Sequence, residues 1–313
     1  MRKYIESMLL LLLTLTTAVA AAEPRGRIAL TFDDAPRGNG PVYSGPERTD
    51  RLIEVLDAAG VEGVMFFVTT GNLEKAPRGG ERLRAYVDAG HRLANHSHSH
   101  PWLWRSTVED YIADLDLSIE RLGDFDSTSP FYRFPFLDEG RSEEKRDVLR
   151  TALAARGLRN GYVTVDNYDW YMNALLGEAV KAGHDIDRTA WCAEYVAIMA
   201  DGVIFYDRIA RQTLGRSPDH VLLLHENDLA ALCIGDLVYA LQADGWTFIS
   251  AETAFEDAIA DRAPDTLFNN QGRVAALAHE AGRAPRSLIH ESEDEGWLRA
   301  RFTAAGLLAS SGE

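Results

Sequence analysis

From residue 27 to residue 250 the chain alternates short apolar runs with amphipathic stretches, and this rhythm restricts the fold more than any other feature. Such alternation reads as repeated β/α units around a mostly parallel sheet. Seven runs have strand character, at residues 28–32, 63–68, 91–94, 131–134, 161–165, 220–224 and 246–250. Helical periods separate them at residues 47–59, 80–89, 107–122, 142–156 and 229–243, several closed by a glycine. Seven units predict an incomplete or distorted (β/α) barrel, with an open doubly wound sheet as the alternative.

Two stretches break the rhythm. Residues 171–215 form a long helical insertion between the fifth and sixth strands, and residues 251–313 form an appendage with helical patterns at 273–281 and 294–305. The N-terminus carries Arg2 and Lys3, an apolar stretch over residues 8–19, and the small residues Ala18, Ala20, Ala21 and Ala22. This is the pattern of a secretory signal peptide over residues 1–22, with an uncleaved anchor as the alternative. No later segment is apolar enough to span a bilayer, so removal of the leader leaves no stable membrane insertion. The catalytic region is then residues 23–250, and the expected location is periplasmic or extracellular. Cys192 and Cys233 are the two cysteines; pairing after export and burial as free thiols both fit their apolar surroundings.

A formal net charge of −16 argues against a nucleic-acid partner, because that binding relies on clustered Lys and Arg. The ionisable residues of interest fall instead where the strands end, and in parallel β/α folds those ends face the active site. The first strand ends in Thr31-Phe32-Asp33-Asp34. Adjacent carboxylates raise each other's proton affinity unless a cation intervenes, although the same residues also suit an ordinary turn. The third strand runs into Asn95-His96-Ser97-His98-Ser99-His100-Pro101. His96 and His100 are four apart, so one helical turn puts both imidazoles on one side to grip a metal, while His98 points elsewhere. One Asp and two His leave open positions, as a catalytic divalent ion requires; zinc is the first expectation, with cobalt or another divalent ion possible. Arg133-Phe134-Pro135-Phe136, Asp166-Asn167-Tyr168-Asp169-Trp170 and Leu224-His225 follow the later strands.

In that order these segments resemble the five motifs of the polysaccharide deacetylase family, the NodB-like carbohydrate esterases of family four. The likeness covers about residues 27–250 and is carried by Thr-Phe-Asp-Asp, His-Ser-x-x-His, Arg-x-Pro-Phe, Asp-x-x-Asp-Trp and Leu-His. It implies a distorted (β/α) barrel and a metal-dependent hydrolase that removes acetyl groups, N-acetyl above all, from an acetylated carbohydrate. By the same likeness Asp34, His96 and His100 hold the metal, Asp33 is the base, and Arg133 pairs with Asp33. The Phe136 amide helps hold the oxyanion, Asp166 orients His225 as general acid, and Trp170 and Leu224 line the acetyl pocket. Ala35 departs from the family's usual glycine after the two aspartates, and the loop after it, with the 171–215 insertion, bears on substrate choice. Ester hydrolysis on an O-acetylated glycan and amidase action on a small non-sugar compound are same-chemistry alternatives. A non-catalytic carbohydrate-binding barrel is the alternative of a different class.

Overall fold

The computed structural model describes residues 24–125 and 127–309; the expected signal peptide lies outside them. Its centre is β1, Gly26–Ala35, whose residues from Ile28 through Asp33 are buried on both faces, as a central parallel strand demands. β2 (Met65–Val68), β3 (Arg92–Asn95), β4 (Thr128–Tyr132) and β5 (Arg159–Asn160) add in sequence order on one side. β6 (Asp219–His225) pairs with β1 on the other, and β7 (Trp246–Phe248) pairs with the first three residues of β1. All of these pairs are parallel.

The fifth strand departs from the sequence reading. Only Arg159 and Asn160 form a strand, and residues 161–165 leave it to run beside β6, where Val165 makes an isolated parallel bridge to Leu222. Gly161 donates to the Tyr132 carbonyl of β4, and Leu223 donates to the Val165 carbonyl. One segment thus leans from β4 to β6 and curls the sheet into the distorted barrel that was expected.

Helices cover the sheet: α1 (Gly45–Ala58), α2 (Gly79–Asp88), α3 (Val108–Leu122), α4 (Glu143–Ala155), α5 (Asp169–Lys181), α6 (Arg188–Leu214) and α7 (Asp228–Ala243). Side-chain caps set their starts where the sequence offers Ser or Thr, with Ser44, Thr107 and Ser142 each accepting an amide of the first turn. The insertion comprises most of α5 and all of α6. Beyond β7 come α8 (Ala251–Ala254), α9 (Arg273–Glu280) and α10 (Glu295–Ala304), whose Val274, Leu277, Leu298 and Phe302 are buried in the same core as β1.

Cys192 of α6 and Cys233 of α7 form a disulfide across a sequence separation of 41 residues, which decides between the two open readings of these thiols. The cross-link fastens the insertion to the helix that follows β6. Replacing both cysteines by serine is expected to cost about 3–4 kcal/mol of stability through the freed unfolded chain. Denaturant unfolding checks this: reductant should weaken the wild type to the level of the variant and leave the variant unchanged.

Candidate active site

The two adjacent aspartates owe their shared direction to an irregularity. Successive side chains of a regular strand point to opposite faces, yet the pairing of β1 with β2 shifts register between Phe32 and Ala35, and Asp34 adopts φ 68°. Both carboxylates therefore reach one imidazole, with His96 Nε2 at 3.6 Å from Asp33 and 3.8 Å from Asp34. His100 Nε2 lies 3.5 Å from the same oxygen of Asp34.

The histidines meet by a route other than the expected helical turn. Residues 96–100 form a loop in which Ser97 and His100 have φ 69° and 58°. Polar side chains fix this shape: Ser97 N–H donates to Asn95 Oδ1, His100 N–H to Ser97 Oγ, and the amides of His98 and Ser99 to Asp114. The imidazoles of His96 and His100 end 5.0 Å apart between centroids. His98 turns away to bond Thr70 Oγ1, as expected.

Asp34, His96 and His100 offer ligand atoms within 4.8 Å of one another, so the donors converge on one point. His96 donates from Nδ1 to the Arg133 carbonyl at 2.8 Å, which turns Nε2 toward the aspartates. That arrangement orients metal-binding imidazoles generally. Burial pushes the His100 pKa down to about 4, and His96 adds to the effect while Asp34 opposes it, so this ring is neutral at pH 7. Burial by itself would raise the Asp34 pKa, but His100, His225, His96 and Arg37 together hold it well below the usual carboxylate range. One carboxylate and two imidazoles suit a divalent cation.

Arg133 follows β4 and is fully buried. Its guanidinium donates to Asp33 at 2.6 Å, to Thr31 Oγ1 at 2.8 Å and to the Gly161 carbonyl at 2.6 Å, and its charged carbon lies 3.8 Å from the centroid of the Phe67 ring. The expected partnership with Asp33 is therefore present. Facing it, β6 is in parallel register with β1 such that His225 lies directly opposite Asp33.

The orienting group of His225 is Asp169 rather than Asp166. Asp169 is fully buried; its carboxylate accepts from His225 Nδ1 at 2.6 Å and also from the His225 amide and the Asn227 side chain. Burial alone would lower the His225 pKa, but the charge and hydrogen bond of Asp169 outweigh it, aided by Asp34 and Asp33, and the pKa is raised. Asp166 accepts the Asn167 amide within the same turn, and burial followed by the nearby Glu293 pushes its pKa well above the usual range. Glu293 is itself raised by burial and is held by Tyr206 and Gln271, so Asp166 lies between the C-terminal segment and the Arg133–Asp33 pair, whose charges it also feels, and makes no hydrogen bond to His225. Two aspartates three apart in one motif are equivalent by residue type; only the fold separates them.

Phe136 and Trp170 are exposed, at 46% and 38%. Phe136 packs its ring 4.6 Å from His100 and 4.8 Å from Trp102, while Trp170 sits between Tyr168 and Tyr171. Leu224 is fully buried in the main core. Sequence reading missed a buried ionic cluster behind the site. Glu226 accepts from Arg82 and Tyr86, and Asp228 from Arg48, at distances of 2.5–2.8 Å. The run His225-Glu226-Asn227-Asp228 after an apolar strand was its only local signal.

A parallel, curled sheet surrounded by helices, with these ionisable groups at its strand ends, is the deacetylase type of (β/α) barrel fold. The solved polysaccharide deacetylase of Bacillus cereus shares that fold at a TM-score of 0.52 and 18% identity, covering 72% of this chain and 92% of its own. A family four carbohydrate esterase of Streptomyces lividans aligns at 20% identity and TM-score 0.47, over 74% and 97% of the two chains. A peptidoglycan deacetylase of Bacillus subtilis aligns at 19% and 0.47, over 76% and 92%. Residues 20–161 match the polysaccharide deacetylase family model, and the chain resembles that family. The match ends before Asp169 and His225, so their half of the site rests on the geometry above.

If Asp169 sets the charge of His225, Asp169→Asn should lower kcat on an acetamide substrate by about 10²–10³-fold. It should also draw the alkaline limb of the pH–rate profile to lower pH, since removing the group that raises the His225 pKa lets the acid deprotonate sooner. Asp166→Asn should leave that limb in place, which a pair of pH profiles checks.

Proposed function

We propose that this chain is an exported, metal-dependent hydrolase that removes acetyl groups, N-acetyl in preference to O-acetyl, from a carbohydrate outside the cytoplasm. The observation that carries the reading is the opposition of Asp33 and His225 across neighbouring strands, with Asp34, His96 and His100 converging beside them. Amide hydrolysis needs a base to activate water and an acid to protonate a poor leaving amine.

Arg133 holds Asp33 in place with one carboxylate oxygen occupied, leaving the other directed toward His96 and free to take a proton from the attacking water. Asp34, His96 and His100 would hold a divalent ion, zinc being our assignment. When bound, that ion polarises the acetyl carbonyl and makes water a stronger nucleophile. Asp169 fixes His225 with Nδ1 engaged, so the proton on Nε2 is the one available to the leaving nitrogen. We assign the Phe136 amide to the developing oxyanion and the exposed rings of Phe136 and Trp170 to the sugar. The disulfide supports an oxidising compartment, in keeping with the N-terminal leader pattern. Among the described residues no helix is long and apolar enough to cross a membrane.

Acetate release from N-acetylglucosamine oligomers is the test. Chelation should abolish it and added zinc restore it, and Asp33→Asn should reduce it by at least about 10²-fold. His225→Ala should impair amide cleavage far more than cleavage of an acetyl ester, whose alkoxide leaves with less help. Undiminished turnover by metal-stripped enzyme would overturn the reading.

A further inference from the structure

Beside the Asp34–His100 edge of the site lies an open polar cleft of about 330 Å³, with Arg37 and Lys75 among its walls. The chain is strongly acidic overall, so two cations on one cleft need a reason. Among the described residues Lys75 forms no ion pair. Arg37 comes no nearer than 4.0 Å to Asp34, and its Nη1 is buried without a hydrogen-bond partner. Arg37 is thus only loosely paired with Asp34, and Lys75 is left without a charge partner among the described residues.

The backbone of Arg37 is anchored at both its amide and its carbonyl. Its amide donates to Glu226 at 2.6 Å, and its carbonyl accepts from Arg48 at 2.9 Å and from Arg82 at 2.7 Å. The rest of the loop is fastened to the same cluster, since Arg48 also bonds the Gly38 carbonyl and the amides of Val42 and Tyr43 donate to Asp228. On the facing wall Thr70 and Gly71 donate to the carbonyls of Ser97 and His98, and a side chain at Gly71 would come within 2.5 Å of the latter. Both walls are thus set before any ligand arrives. On that fixed backbone the Arg37 side chain is 35% exposed at the cleft, and a guanidinium so placed is well suited to grip a carboxylate or phosphate oxygen.

We infer that this cleft recognises an anionic group, carboxylate or phosphate, on the sugar next to the one being deacetylated, and that Arg37 is its principal anchor with Lys75 assisting. The substrate class is then an acidic acetylated glycan. This rests on the deacetylase reading and deepens it. The position of Arg37, one loop turn from a metal-site carboxylate, places the anion beside the reacting acetyl group rather than on it.

Three acetylated oligosaccharides of equal length test this: one neutral, one with a hexuronate neighbour, one with a phosphorylated neighbour. Calorimetric binding and acetate release are measured separately. Wild type should bind at least one acidic oligomer about tenfold more tightly than the neutral one, with the preference shrinking at high salt. The better of the two identifies the anion. Arg37→Ala should bring the acidic-to-neutral ratio close to one, Arg37→Lys should retain part of it, and Lys75→Ala should reduce it by a smaller factor. Equal affinity of wild type for all three would overturn the inference. So would an Arg37→Ala variant that weakens acidic and neutral oligomers alike, since that outcome makes Arg37 only a neighbour of Asp34. If no oligomer releases acetate but the binding preference is present, the cleft stands and the deacetylase reading fails; turnover without preference gives the reverse.

Discussion

Arg133 and Asp33 share a charge pair with almost no access to solvent, and most of the site is arranged around it. A guanidinium buried this deeply carries a large desolvation cost that one carboxylate offsets only with help. Thr31, the Gly161 carbonyl and the face of Phe67 supply that help, and the Arg133 carbonyl in turn fixes His96. One residue after β4 therefore touches β1, β2, the loop after β3 and the segment that leans toward β6. Asp33, His96 and the closing edge of the sheet are positioned by a single side chain and its own backbone. Removing either partner would strand the other's charge, at a cost of about 3–5 kcal/mol.

The ends of β1, β3 and β4 depart from ordinary backbone geometry, in positions other than glycine. Asp34, Ser97, His100, Phe136 and Leu137 all have positive φ. Such conformations are uncommon for these residue types and cost free energy unless the surroundings over-determine them. Here the surroundings do so, through the register shift in β1 and the side-chain hydrogen bonds of Asn95, Ser97 and Asn270. The result is a set of polar side chains held in one place, ready to act on charge as it develops in a transition state.

Much of this was legible in the sequence. The strand pattern located β1, β2, β3, β6 and β7 closely, because buried parallel strands are apolar on both faces and end abruptly in polar residues. The fifth strand was misplaced, since residues 161–165 are apolar from packing between β4 and β6 rather than from a full ladder. The approach of His96 to His100 was anticipated, but its cause was a hydrogen-bonded loop instead of a helical turn. Asp169 was passed over for Asp166 because a motif gives residue types and spacing, and the distinction lies in which carboxylate faces His225. The Arg48, Arg82, Glu226 and Asp228 cluster joins residues up to 180 positions apart, a separation at which local pattern carries no information.

The proposed function depends on Asp34, His96 and His100 forming one divalent-cation site beside Asp33 and His225. Equilibrium titration of the metal-stripped full chain with zinc, read by calorimetry and elemental analysis, tests it without reference to any substrate. One tightly held ion per chain is expected in the wild type and in Asp169→Asn, with binding lost or weakened at least about 100-fold in His100→Ala. A wild type that takes up no ion, or a His100→Ala variant that binds as tightly as the wild type, would contradict it.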